Sequence, residues 1–372
     1  MNYNGRAMAS RPPILIDYGA FQQPPSRLFR DYLTSSPAVQ PFYGSVRWDL
    51  EGLEASADNA LRTERPRDTV VEALIRQQEA REALGAAAQA RRLRDPRATA
   101  VVTGQQAVLF GGPLYVLYKA LAAVVVARAL EARRGAPVVP VFWVAADDHD
   151  FAEIRSTTVL DETGQIHDVR YSPHREPAGQ PAARIALDDT VSALVEELRG
   201  RLPAGLHRDE VLSLVAACYR PGATLSEAFA RLLSKLLPDL VLLDPSDPAL
   251  KAPCLPVFSR ELVEHSPTSR LAAEAGQRLL AAGYHQQVPV RAGFLNLFVY
   301  MDGERRAMGW ENGIIEVRGL GRKMPAMCRS DVIAPNAPSA SSTTCPAAAS
   351  STRSTATTWC SPQRDAHCAS RS

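Results

Sequence analysis

"APVVPVFWVAADDHD", residues 136–150, is a continuous apolar run that stops abruptly in charge. A strand that is apolar at every position has no solvent face, so it must be covered on both sides, as the strands of a parallel sheet are. Upstream, "ATAVVTG" (98–104) is a short β-branched run ending on glycine. Between the two lies "GGPLYVLYKALAAVVVARALEARRG" (111–135), with Gly112 as a candidate N-cap, Pro113 at the first helical position and Gly135 closing the end. Strand, helix and strand in that order make a βαβ unit, and its two strands run parallel.

A second unit follows. "TLSEAFARLLSKLLPD" (224–239) opens with a Thr224-to-Glu227 capping box and carries Leu225, Phe229, Leu232, Leu233 and Leu236 at helical spacing. "LVLLDPSDPALKAP" then gives a strand at 240–243 that ends at Asp244 and Asp247. Two strands ending in acidic loops predict a doubly wound α/β fold built on a parallel sheet. Residues 1–95 read as a helical N-terminal region, with Val70, Val71, Leu74 and Ile75 forming a buried stripe in "RDTVVEALIRQQEAREALGAAAQARRLRDP" (67–96). The core spans 96–320, with an insertion around 151–215. A β-rich piece, "QQVPVRAGFLNLFVYMDGERR" (286–306), carries a hairpin signal at Asp302-Gly303.

From about residue 321 to 372 the chain loses apolar periodicity and most large aliphatics. Such a segment cannot bury enough surface to offset its ordering entropy. A native disordered tail and a stretch translated out of frame both fit. Scattered Cys328, Cys345, Cys360 and Cys368 and the isolated Trp359 favour the out-of-frame reading. No catalytic role is assigned to it.

Composition narrows the function classes. The formal net charge of +2 supplies no basic field for nucleic acid. No run approaches the ~18 uncharged apolar residues of a membrane span. "MNYNGRAMASRPP" lacks the apolar core of a secretory signal, so a cytoplasmic location is expected. Cys218 and Cys254, the only cysteines before residue 320, read as small buried apolar residues of a reduced protein.

Ligands of parallel sheets gather beyond the carboxyl ends of the strands, and both polar clusters lie there. After the first strand come Thr103 to Gln106, where Gln105 and Gln106 could fix polar groups of a ligand. Gly111 and Gly112 then let backbone approach an anion at the positive end of the following helix, beside Tyr115, Tyr118 and Lys119. The competing reading makes Gly-Pro a simple helix start and leaves Lys119 on a solvated face. After the second strand, Asp147, Asp148, His149 and Asp150 offer three carboxylates and an imidazole. Alternation would set Asp147 and His149 against Asp148 and Asp150. Asp148 and His149 carry the functional assignment, with Asp148 a candidate Mg²⁺ ligand, whereas Asp150 and Glu153 read mainly as a helix cap. Asp244, Ser246, Asp247 and Lys251 are lesser candidates that a turn would explain. His285 and Arg291 are lesser ones that could face the same site.

"VVTGQQAVLFGGPLYVLYKAL" together with "PVVPVFWVAADDHDFAEI" closely resembles the cysteine-adding ligase family of bacillithiol biosynthesis. A weaker likeness runs through "LVLLDPSDPALK" and "GYHQQVPVRAGFLNLF", so it covers about residues 30–305. The chain departs from the family pattern at Val108, where a glycine is typical, and at Asp147, where glutamate is expected. The resemblance implies a Rossmann-like core, a C-terminal coiled-coil domain in a considerably longer chain, and ligation of cysteine to glucosaminyl malate through an activated carboxylate. ATP and Mg²⁺ would serve that activation. Gly111, Gly112 and Lys119 would hold oxyanions, His149 would deprotonate the acceptor amine, and Asp148 would orient it or hold Mg²⁺. Small-molecule substrates are implied, with homo-oligomerisation left open. The alternative is a truncated, non-catalytic fragment, or a module that binds a nucleotide or other small molecule.

Overall fold

The three strands read as a parallel sheet are β1 (Thr99–Gln105), β2 (Val138–Val144) and β5 (Val241–Leu243), all parallel and in the order β1-β2-β5. This computed structural model describes residues 25–43, 47, 49–301, 303–311, 314–317, 322–324 and 357–359. The continuous apolar character of β2 has the expected cause, since both of its faces are covered. Val139 and Val141, with Val241 of β5, pack against Val71, Leu74, Ile75 and Ala90. These last four belong to α4 (Arg67–Ala80) and α5 (Leu84–Arg92). Phe142, Val144, Leu240 and Leu242 face the other way, onto α6 (Tyr115–Arg134) and α10 (Leu225–Leu236), through Val116, Ala120, Phe229 and Leu233. The N-terminal helical stripe thus forms one of the two layers over the sheet.

The segment from 151 to 218 begins with α7 (Phe151–Ile154) and an antiparallel hairpin, β3 (Ser156–Leu160) with β4 (Ile166–Arg170). Two helices follow, α8 (Thr190–Arg201) and α9 (Arg208–Cys218). Its Val169, Leu194, Leu198, Leu212 and Val215 join the same apolar cluster as Phe142 and Phe229, so the inserted segment shares the main core. After β5 come α11 (Pro248–Lys251), α12 (Leu255–Val263) and α13 (Pro267–Ala281). The short helices α1 (Arg27–Leu33) and α2 (Gln40–Tyr43) lie near α13, where Leu28 meets Leu279 and Tyr284. Ala57 of α3 (Leu50–Leu61) packs with Ala127 and Leu130 of α6.

A second sheet holds β6 (Phe294–Met301), β7 (Glu304–Glu311), β8 (Ile314–Val317), β9 (Arg322–Met324) and β10 (Thr357–Trp359), in the order β10-β6-β7-β8-β9. The hairpin expected at 302–303 is there: Met301 faces Glu304, and Gly303 takes a φ of 87°. Of the tail set apart by composition, only 322–324 and 357–359 fall within the described residues. No helix among the described residues is long and apolar enough to cross a membrane.

Local chemistry sets the helix ends. Thr224 accepts from the Glu227 N–H at 3.3 Å, as its capping box predicts, and Gly135 closes α6 in the left-handed region at φ 60°. The start of α6 differs from the sequence reading. Leu114, not Gly112, is the capping residue, because Gly112 at φ 70° and ψ −160° belongs to the preceding turn.

One feature of the sheet left no trace in apolar periodicity. At the outer edge of β5, α4 presents two buried glutamines in place of a further strand. The Gln78 amide accepts from Leu242 N–H at 3.1 Å and donates to Leu242 C=O at 2.8 Å. Gln77 makes the same pair of bonds with Asp244, each at 2.9 Å. Residues i and i+2 of an edge strand present their N–H and C=O groups on one side, and two amides spaced along the helix satisfy both pairs. Arg81 adds a second donor to Leu242 C=O at 3.2 Å. Gln78→Leu keeps the volume but leaves the Leu242 N–H buried without an acceptor, a cost of roughly 1–3 kcal/mol. Urea unfolding measures it, and a loss below about half a kcal/mol would show that the edge does not depend on this amide.

Candidate active site

β1, β2 and β5 all end at the same edge of the sheet, and the polar clusters that follow β1 and β2 meet there. Lys119, one turn into α6, folds back over the end of β1. Its Nζ donates to the Gly104 carbonyl at 2.6 Å and to Gln105 Oε1 at 3.0 Å. Lys119 therefore folds over this strand end and does not stand on a solvated face. Burial lowers its pKa, and two of its three N–H donors are used, which leaves one for a ligand oxygen. Gly104 has no room for a side chain, since a Cβ would stand 2.7 Å from the Trp143 carbonyl oxygen on β2.

The turn at Gly111 and Gly112 differs from the expected oxyanion cradle. Gly111 N–H donates to Val108 C=O and to the Tyr219 hydroxyl, both at 3.2 Å, and Gly112 N–H donates to Leu109 C=O at 3.0 Å. These groups close the protein's own turn. Glycine is required at 112 for a local reason: beyond its positive φ, a Cβ would lie 2.9 Å from Val108 Cβ. Val108, the departure from the family pattern, is the side chain that crowds the loop.

β2 ends at Val144, so residues 147–150 lie on a turn and strand alternation does not sort them. Ala182 N–H donates to Asp148 C=O at 2.8 Å and Ala183 N–H to Ala146 C=O at 3.0 Å, which fixes the turn. Gln106 Nε2 bridges two carboxylates, Asp148 Oδ2 at 2.7 Å and Glu153 Oε2 at 2.6 Å. Asp150 caps α7 as expected, accepting from Glu153 N–H at 3.3 Å. Only half of the capping box forms: the Glu153 N–H is capped, but its side chain contacts Gln106 while the Asp150 N–H goes to Asp148 Oδ1.

Asp147 is 4 % exposed and paired with Lys251, itself 9 % exposed, at 2.8 Å. The Tyr300 hydroxyl donates to the other Asp147 oxygen at 3.3 Å. Burial pushes the Lys251 pKa down, against the upward pull of Asp147, and burial raises that of nearby Asp244. Burial and then the Asp147 charge push the Tyr300 phenol up, so it stays a donor. Only four lysines occur in a chain whose Lys and Arg total 42, and two of them, Lys119 and Lys251, stand at this edge. An ammonium is a compact charge whose pKa shifts readily on burial, which a guanidinium does not provide.

His149 Nδ1 lies 3.2 Å from Arg305 NH1 and 3.9 Å from Asp148 Oδ1. A guanidinium can only donate, so Nδ1 accepts and the proton of the neutral ring sits on Nε2. In this geometry the Nδ1 lone pair of His149 faces Arg305 and Nε2 carries the proton. Tyr115 and Tyr118 are 50 % and 62 % exposed. His285 is exposed against Gln287 and Arg291 lies over the Phe294 ring, so neither joins the cluster. Cys218 is buried, whereas Cys254 is half-buried against the Leu250 carbonyl.

Sequence reasoning missed Tyr300, Arg305 and the weight of Lys251. The two-residue hairpin would have paired Tyr300 with Arg305, but no local signal places that pair against residues 147–149.

The residues do not form a ready Mg²⁺ site at Asp148. Both of its oxygens accept from protein donors, Gln106 and the Asp150 N–H. Among the described residues the one group with three metal-capable side chains is His174, Asp188 and Asp189, on the inserted segment. Asp188 there already accepts from the His174 N–H, the Thr190 N–H and two hydroxyls. With the Gly111-Gly112 N–H groups also taken, neither an ATP phosphate cradle nor a Mg²⁺ ligand set is built into these positions.

Comparison with known proteins gives this edge its context. The family described as "Bacillithiol biosynthesis BshC, N-terminal Rossmann-like domain" matches residues 16–323. The chain belongs to the BshC family. It is 35% identical over 333 residues to the "Putative cysteine ligase BshC" of Salinibacter ruber, covering 88% of this chain and 58% of that one. The BshC protein of the same name from Chlorobaculum tepidum is 37% identical over 299 residues, 76% of this chain and 52% of its own. That from Koribacter versatilis is 35% identical over 294 residues, with 77% and 53% covered. The chain spans about half the length of the curated BshC relatives it matches.

Proposed function

We propose that this chain carries the Rossmann-like part of a cysteine ligase of bacillithiol biosynthesis, joining an activated cysteine carboxylate to the amine of glucosaminyl malate. The observation that carries the reading is the convergence of Lys119, Gln105, Gln106, Asp148 and His149 at the carboxyl edge of the sheet in a BshC chain. The remaining N–H of Lys119 stabilises charge on a carbonyl oxygen as the amine adds. Gln105 and Gln106 orient polar groups of the substrates, and Asp148 holds Gln106 in place. Asp147 acts from beneath, fixing the turn through Lys251 and Tyr300. His149 handles the proton of the attacking amine, once Arg305 releases Nδ1. The expected cytoplasmic setting and small-molecule partners accompany this reading.

The test is incubation of the 372-residue chain with cysteine, glucosaminyl malate and ATP, with mass spectrometry for the amide, formed with loss of one water. Product supports the ligase. The Gly111 and Gly112 N–H groups, already engaged within their own turn, favour a second reading, binding without turnover. Substrate-dependent thermal stabilisation with no product selects that one, and neither product nor stabilisation removes both.

A further inference from the structure

Two guanidiniums, Arg305 of β7 and Arg184, gather against β6 beside the 147–149 turn, and the proposed ligation gives neither a ligand. Arg305 lies with its Cζ 3.5 Å from the centroid of the Phe298 ring, and Arg184 with its Cζ 4.9 Å from that of Tyr300. Phe298 and Tyr300 are two residues apart on β6, so both rings are on one face of that sheet. Tyr300 is the cross-strand partner of Arg305 and donates to Asp147, and Arg305 donates to His149. Both arginine charges act on the Tyr300 phenol, favouring its ionised form against burial.

Neither guanidinium has a carboxylate partner among the described residues. Asp147 is taken by Lys251, Glu304 by Arg306, and Glu153 by Gln106. The Arg305 Nε is buried without a hydrogen-bond acceptor, whereas Arg184 is exposed. A guanidinium laid flat on an aromatic ring keeps its donors in the plane of the stack, turned outward, where they match the two oxygens of a carboxylate. Two such forks on neighbouring rings of one strand match two carboxylates on a short spacer.

We propose that Arg184 and Arg305, stacked on Tyr300 and Phe298, form a receptor for the dicarboxylate end of a substrate beside His149. That the ligand is a substrate and not an effector rests on the ligase reading; the receptor chemistry does not. An acid held by Arg305 also draws that guanidinium away from His149 Nδ1, which is the release that proton handling requires.

Calorimetric titration of the full 372-residue chain with succinate, acetate and inorganic phosphate tests this. Succinate binds at one saturable site, more tightly than acetate. Each of Arg184→Ala and Arg305→Lys weakens it by roughly ten- to hundredfold, as loss of a charge-assisted fork does. Arg184 is exposed, so its replacement leaves the fold intact, and Arg305→Lys keeps the charge while removing the fork. Succinate binding unchanged in both variants, or absent from the parent chain, overturns the proposal. Phosphate binding as tightly and with the same sensitivity reassigns the site to phosphate and likewise overturns it. Succinate binding without ligation product sinks the ligase reading alone. Ligation that ignores both substitutions sinks the receptor alone.

Discussion

Lys251→Met unfolds more easily than the parent chain by roughly 3–5 kcal/mol, the cost of leaving a buried charge without its partner. The ammonium and the Asp147 carboxylate are both almost wholly buried, 2.8 Å apart. Methionine fills the volume, so packing changes little. The loss arises because Asp147 keeps one hydroxyl donor, Tyr300, and no counter-charge. Asp147→Asn in the same chain removes the orphaned charge and recovers most of the stability. Urea unfolding of the two variants decides it: a single-variant loss below about 1 kcal/mol would class the pair with exposed bridges of small worth.

His149→Ala lowers ligation turnover by roughly 10²–10⁴-fold, the usual contribution of a positioned proton-transfer group. The imidazole side chain is 39% exposed and belongs to no apolar cluster, so the melting temperature stays close to that of the parent. Rate constants for amide formation are the measurement, made on this chain and in parallel on a full-length relative with the same histidine in this turn. A fall of less than about tenfold would leave His149 a binding residue only. Arg305→Lys separates the two roles further, since a flexible ammonium lacks the fixed fork that holds Nδ1.

Much of the core was legible because burial on two faces writes itself into sequence as uninterrupted apolarity. Val138 to Val144 read as a central strand once placed in a strand-helix-strand order, and the helices over it carried capping residues and apolar stripes. The Gln105, Gln106 and Lys119 corner was legible for a related reason: topology alone brings the carboxyl ends of parallel strands together. The turn at Asp147 was located but misread, because alternation was extended past the point where the strand stops. Glycines 111 and 112 were read as a ligand cradle when their N–H groups serve Val108, Leu109 and Tyr219. A positive-φ turn and an anion nest use the same residue types, and only the direction of the N–H groups separates them. Lys251, Tyr300 and Arg305 reach the site from 104, 153 and 156 residues away along the chain, and no local pattern encodes such contacts.

The glutamines of α4 have a consequence for how the sheet can be extended. With Leu242 and Asp244 already engaged by Gln78 and Gln77, no strand can join beyond β5, and among the described residues β1 is the edge at which no further strand is paired. Val102, in the middle of that strand, is 59% exposed. Two side-chain amides on a helix therefore close one edge of the sheet. Losing both would uncover at β5 a row of unpaired N–H and C=O groups with which a strand of another copy of the chain could pair.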